Sequence, residues 1–131
     1  MRAHFIFYVQ DQQQSKNFYQ RVLGMEPSLH VDGMTEFCLS DSCILGLMPI
    51  SGIKRLIGQA LPDPLGGVGI PRAELYLCVD DPSAYHGRSL ASGAVELSGL
   101  KARDWGHSVA YSLDLDGHVL AFAEVPAEPV G

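Results

Sequence analysis

HFIFYVQDQQQSKNFY, residues 4–19, reads as an alternating strand running into a capped amphipathic helix, and ELYLCVDDPSAYHGRSL, residues 74–90, repeats the plan. One offset pairs Asp11 with Asp81 and, at the two strand starts, His4 with Glu74. Asp11 is placed to cap the first helix, and Gln14 three residues on completes a capping-box-like pair. Phe18, Tyr19, Val22 and Leu23 then recur at helical spacing, and Gly24 stands where a C-cap glycine belongs. In the second copy Asp81 is the N-cap, Pro82 takes the first helical position and Gly93 closes the helix. A duplicated half-domain is expected to build its site at the seam between halves, which makes His4 and Glu74 the first candidates.

Outward from these segments the pattern continues as short strands. The first half predicts strands at 27–31, 34–40 and 43–48, with turns at VDG (31–33) and SDS (40–42). The second predicts strands at 94–98, 107–113 and 118–124, the last two joined by DLDG (114–117). Between the halves, residues 49–71 are rich in proline and glycine and read as a linker or lid with one helical turn around Ile53–Ile57. The expectation is a single α+β domain over 1–131. It comprises a βαβββ module at 4–48, the linker at 49–71, a second module at 72–124 and a frayed tail at 125–131.

At 131 residues the chain can bury roughly two-thirds of the surface its unfolded form would expose. No apolar run reaches membrane-spanning length, and MRAHFIFYV lacks the cleavage site of a signal peptide, so a cytoplasmic location is expected. The net charge of −6 argues against nucleic acid and would suit a cationic ligand. Cys38, Cys43 and Cys78 are an odd count without framework spacing and are expected to be reduced and mostly buried.

The tandem βαβββ, opening on HFIFYVQDQQQSKNFYQRVLGM and closing on RDWGHSVAYSLDLDGHVLAFAE, resembles the vicinal oxygen chelate superfamily, which holds glyoxalase I, bleomycin-resistance proteins, fosfomycin-resistance transferases and extradiol dioxygenases. The resemblance covers residues 4–124. It implies two sheets curled into a cup with helices outside and ligands within, and a homodimer. The metalloenzymes resembled hold one divalent ion with four side chains, which fall here on His4, Gly46, Glu74 and Ala121. Gly46 and Ala121 carry no donor, whereas a divalent ion needs about four donors, usually three of them from protein at catalytic sites. No cofactor is therefore expected; if a metal binds, His4 and Glu74 are the ligands that remain. Glu36 is expected to point away from the cup, and His107 is the better substitute donor.

Strand alternation sorts the cup lining. With His4 inward, Ile6 and Tyr8 follow, leaving Phe5, Phe7 and Val9 under the helix; with Glu74 inward, Tyr76 and Cys78 follow, leaving Leu75, Leu77 and Val79. A two-residue turn at Asp41–Ser42 sets Leu39 opposite Ile44, so Phe37, Leu39, Ile44, Gly46 and Met48 share the inner face. Ala121, Ala123 and Tyr111 face inward from the last hairpin, and the resemblance gives Tyr111 a substrate-binding position. Trp105 is placed to close the mouth, and Gly46 and Ala121 are expected to free volume where ligating glutamates would stand.

Three readings follow from this lining. The first is a metal-free protein that binds, and sequesters, a small, partly aromatic molecule through Ile6, Tyr8, Phe37, Leu39, Gly46, Met48, Tyr76, Trp105, Tyr111 and Ala121. The second is an enzyme of the same superfamily, a lyase, isomerase or dioxygenase, metal-dependent or using His4 and Glu74 as acid–base groups. The third is a partner-binding or regulatory domain with a filled cup. His4 and Glu74 either touch a ligand or pair structurally; the tyrosines and Trp105 either line a pocket or pack; His118 reads as a turn residue and Cys78 as inert.

Overall fold

The computed structural model describes residues 1–126, so the end of the expected frayed tail lies outside the described residues. The chain forms two compact units, Met1–Val68 and Gly69–Gly131. Each is a four-stranded mixed sheet with a helix on one face.

In the first unit, β1 (Ala3–Val9) leads to α1 (Gln12–Leu23), followed by β2 (Leu29–Val31), β3 (Met34–Ser40) and β4 (Cys43–Pro49), in the order β1-β4-β3-β2. The Asp11 carboxylate accepts from the Gln14 N–H at the start of α1. Gly24, with φ of 65°, ends the helix in the left-handed conformation, its N–H donating to the Gln20 carbonyl. Phe18, Tyr19, Val22 and Leu23 are all buried, and Tyr19 meets Phe7 of β1 with ring centroids 6.5 Å apart. That contact fixes the α1-covered face as the one carrying Phe7 and its register mates Leu47 and Thr35. Phe5 shares this face but is 58% exposed, beyond the cover that the alternation gave it.

The β3–β4 hairpin departs from expectation. Ser40 pairs with Cys43 across the Asp41–Ser42 turn, but the next pair is Cys38 with Ile44, leaving Leu39 in a bulge. One extra residue exchanges the faces of everything upstream in β3. Phe37 therefore pairs with Leu45 on the α1 face, fully buried, and not with the inward set. Glu36 pairs with Gly46 on the opposite face. The anticipated linker begins as a two-turn helix, α2 (Ile50–Ile57), with Ile50 and Ile53 buried, and continues through short 3-10 turns. Asp63 anchors the second of these turns: its carboxylate accepts from the Leu65 N–H and the Lys54 ammonium, which hold it below the usual carboxylate range.

The second unit runs β5 (Glu74–Cys78), α3 (Pro82–Ala91), β6 (Val95–Ala102), β7 (Ser108–Leu113) and β8 (Val119–Glu124), in the order β5-β8-β7-β6. Asp81 caps α3 through the Ala84 N–H. Ser89 of α3 shares a buried hydrogen bond with Ser112 of β7 at 2.8 Å, and Tyr85 stacks near Phe122 at 5.5 Å. These contacts define the helix-covered face by Leu75, Leu77, Ala110, Ser112, Leu120 and Phe122. His118 is a buried turn residue: its N–H and that of Asp116 both donate to Asp114. All three cysteines are free, and none is buried, contrary to the expectation for small apolar thiols. No helix among the described residues is long and apolar enough to cross a membrane.

Candidate functional site

The residues singled out by the repeat lie mainly on the sheet faces that the helices leave open. In the first unit that face carries His4, Ile6 and Tyr8 of β1, Glu36 and Met34 of β3, and Gly46 and Met48 of β4. His4 Nδ1 stands 3.2 Å from a Glu36 carboxylate oxygen. The two side chains meet across Gly46, which separates their strands, so the imidazole has a carboxylate neighbour within its own sheet. Glu36 was placed on the wrong face by simple alternation because the bulge at Leu39 is silent in the sequence. Leu39 itself is unpaired in that bulge and half-buried.

The space at Gly46 is not free. A Cβ there would lie 3.0 Å from Ile6 Cγ1 and 3.3 Å from Met34 Sδ, closer than ordinary packing. Two aliphatic groups have closed over the position where a ligating glutamate stands in the metalloenzymes resembled. Ala121 is filled in the same way: it is fully buried with Val109 and Ala123, and Tyr76 and Tyr111 pack onto all three. The freed volume anticipated at both positions has been taken up by neighbours.

On the second unit's open face the register forms successive rows. One reads Glu74, Val119, Leu113; the next Tyr76, Ala121, Tyr111, Ser98; the third Cys78, Ala123, Val109, Lys101. A tight turn hangs over this lattice, closed by Arg103 N–H to the His107 carbonyl at 2.8 Å and Gly106 N–H to the Arg103 carbonyl at 3.1 Å. Gly106 sits there at φ of 93°, a conformation that side chains resist. From this turn three side chains reach the face. Trp105 donates its indole N–H to the Tyr76 hydroxyl at 3.0 Å, and Tyr76 lies 2.6 Å from His107 Nδ1. Since an indole can only donate, Tyr76 accepts from Trp105, and the direction of its bond with His107 follows the imidazole tautomer. Trp105 is 55% exposed: an aromatic plate tethered at one edge.

Tyr111 is half-buried beneath the Arg103 guanidinium, 5.1 Å from its ring centroid. Burial raises its phenol pKa above the ordinary tyrosine range, the Glu74 charge and Tyr76 add to that, and Arg103 opposes it. Glu74 is exposed at the edge of the sheet, and Cys78 is exposed on the same face. Residue spacing in RDWGH points to Trp105 and not to Arg103, because the turn that folds Arg103 back over Tyr111 is not written in that spacing.

The donors present do not match the four-ligand site of the metalloenzymes. Among the described residues no group of three His, Cys, Asp or Glu side chains could hold a metal ion, and His4 already has Glu36 against Nδ1. Two cavities in the first unit lie apart from the open face. One of about 220 Å³ is lined by Gln12, Gln13, His30, Val31 and Asp32, and one of about 470 Å³ by Gln10, Ile50, Ser51, Lys54 and Leu65.

Solved structures share this fold. A glyoxalase-related enzyme from Fulvimarina pelagi superposes with a TM-score of 0.78 at 19% identity, covering 100% of this chain and 92% of that one. A glyoxalase/bleomycin resistance protein/dioxygenase family enzyme from Burkholderia phytofirmans PsJN gives 0.78 at 17% identity, covering 94% and 97%. TioX from Micromonospora sp. ML1 gives 0.69 at 17% identity, covering 96% and 99%. No curated protein matches significantly. At these identities the likeness speaks for fold alone, but the sequence pattern of one family runs through residues 2–122, nearly the whole duplicated scaffold. The chain belongs to the Glyoxalase/Bleomycin resistance protein/Dioxygenase superfamily.

Proposed function

We propose that this protein binds a small, partly aromatic molecule on its open sheet faces without a resident metal, and that sequestering such a molecule is its role, as in a resistance protein. The observation that carries the reading is the hydrogen-bonded trio of Trp105, Tyr76 and His107 over a floor of Ala121, Ala123 and Val109. An exposed indole held at its N–H offers a planar ligand a stacking surface whose ordering is already in place. Titration with planar compounds should quench Trp105, the only tryptophan, and Tyr76→Phe should weaken that binding by loosening the plate. Protein purified without chelators that carries near one tightly held metal ion per chain would overturn the metal-free reading.

The His4–Glu36 pair favours a second reading, an acid–base enzyme of the superfamily. A carboxylate at Nδ1 orients an imidazole and leaves Nε2 to take a proton. Turnover of a superfamily substrate that survives His4→Ala would remove this reading.

A further inference from the structure

The second unit's open face holds a cation without a counter-ion. Arg103 Nη2 donates to Ser98 Oγ at 2.7 Å, to the Val109 carbonyl at 2.8 Å and more weakly to the Gly99 carbonyl at 3.3 Å. All three acceptors are neutral. Its Nε–H is buried and has no acceptor, and among the described residues Arg103 takes part in no ion pair. A guanidinium is charged at any physiological pH, and burying its Nε–H without an acceptor, beside neutral groups alone, costs free energy that a carboxylate would offset. The ring of Tyr111 lies beneath it but supplies no charge.

The neighbourhood sharpens this. Lys101 pairs with Val109 and so belongs to the same end of the face, adding a second cation. Glu74 belongs to the row ending on β5, whereas Arg103 hangs over β6 and β7. Two cations, Lys101 and Arg103, thus stand at this end of the face next to the tethered indole, with the carboxylate of Asp104 exposed in the same turn and making no ion pair with either among the described residues. Tyr111 remains a protonated phenol beneath it, with a hydroxyl able to donate.

We propose that Arg103 is the specificity-determining residue of this face and that the preferred ligand is an aromatic acid, its rings against Trp105 and its acidic group toward the Arg103 guanidinium. This rests on the binding reading above and narrows it from aromatic to acidic aromatic, against the cationic preference that the net charge suggests.

A matched set of probes tests it: 2-naphthoate, 2-naphthamide and 2-naphthylmethylamine, titrated calorimetrically into the full chain at pH 7. The acid should bind about tenfold more tightly than the neutral amide, the order of one charge-assisted hydrogen bond, with the amine weakest. Arg103→Gln should remove the acid's advantage over the amide, and Arg103→Lys should restore part of it. Arg103 also ties β6 to the 103–107 turn, so the variants are checked for native circular dichroism; the comparison of probes on the unmodified chain stands whether or not they fold. An amide that binds as well as the acid would overturn this proposal and leave the binding reading intact, as would an advantage that survives in folded Arg103→Gln. Failure of all three probes to bind would overturn both.

Discussion

Tyr111 registers the charge around the second unit's open face. Burial favours its neutral phenol, and Glu74 favours it further. The sign follows: the stabilisation from the neutral form is fully present below the ordinary tyrosine pKa near 10 and is lost as pH rises through the higher folded value. Glu74→Gln should therefore lower the Tyr111 pKa toward the ordinary range, and Arg103→Gln should raise it, both read from its ring-carbon shift in an alkaline NMR titration. An unmoved Tyr111 in Glu74→Gln would mean that burial alone sets its pKa. In the first unit, Gly46→Ala should cost about 1–3 kcal/mol in denaturant unfolding, the usual penalty for overpacking, with part regained by adding Ile6→Ala. At this scale the sequence was informative where alternation is unbroken. Tyr76, Tyr111, His4 and Glu74 fall on the faces that period-two reading assigns, but how their neighbours close over Gly46 and Ala121 depends on packing that no spacing encodes.

At the scale of elements, caps and glycines were legible because their chemistry is local. Asp11 and Asp81 each satisfy an N–H in the first turn of a helix, three residues on, as their positions before α1 and α3 implied. Asp11→Ala and Asp81→Ala should each cost about 0.5–2 kcal/mol of stability in denaturant unfolding, the ordinary value of such a cap. The bulge at Leu39 was not legible, since nothing in FCLSDSCIL marks where a ladder slips. Its consequence is large: it buries Phe37 under α1 and brings Glu36 to His4. Deleting Leu39 would remove the unpaired residue and leave Cys38 opposite Ile44, Phe37 opposite Leu45 and Glu36 opposite Gly46 in unbroken alternation. The expected outcome is a folded variant in which the His4–Glu36 pair and the burial of Phe37 survive, read from cooperative denaturant unfolding and a structure of the variant. A variant in which Phe37 moves to the open face would show that the bulge does not set the register.

At the scale of the molecule, the duplication sets up four sheet edges, and two of them are the strands that begin each half. β1 and β5 are each paired on one side only within their own sheets, by β4 and β8. Unpaired strand edges recruit other strands or are covered, and β1 leaves Phe5 and Ile6 58% and 41% exposed beside its edge. Phe5 explains why its face assignment and its burial disagree: it lies on the α1 side of the sheet, yet little of the ring is covered. A second copy of the chain would provide that cover, in line with the two-fold dimers implied by the family resemblance, and we propose a homodimer on this ground. Sedimentation at micromolar concentration should give the mass of two chains. Phe5→Asp should shift it to one while leaving α1 and its buried Phe18, Tyr19 and Val22 in place, because Tyr19 meets Phe7 and α1 packs on β4. A single-chain mass for the unmodified protein would remove the dimer. A dimer that persists in Phe5→Asp would move the interface away from β1 and leave the exposed Phe5 to solvent.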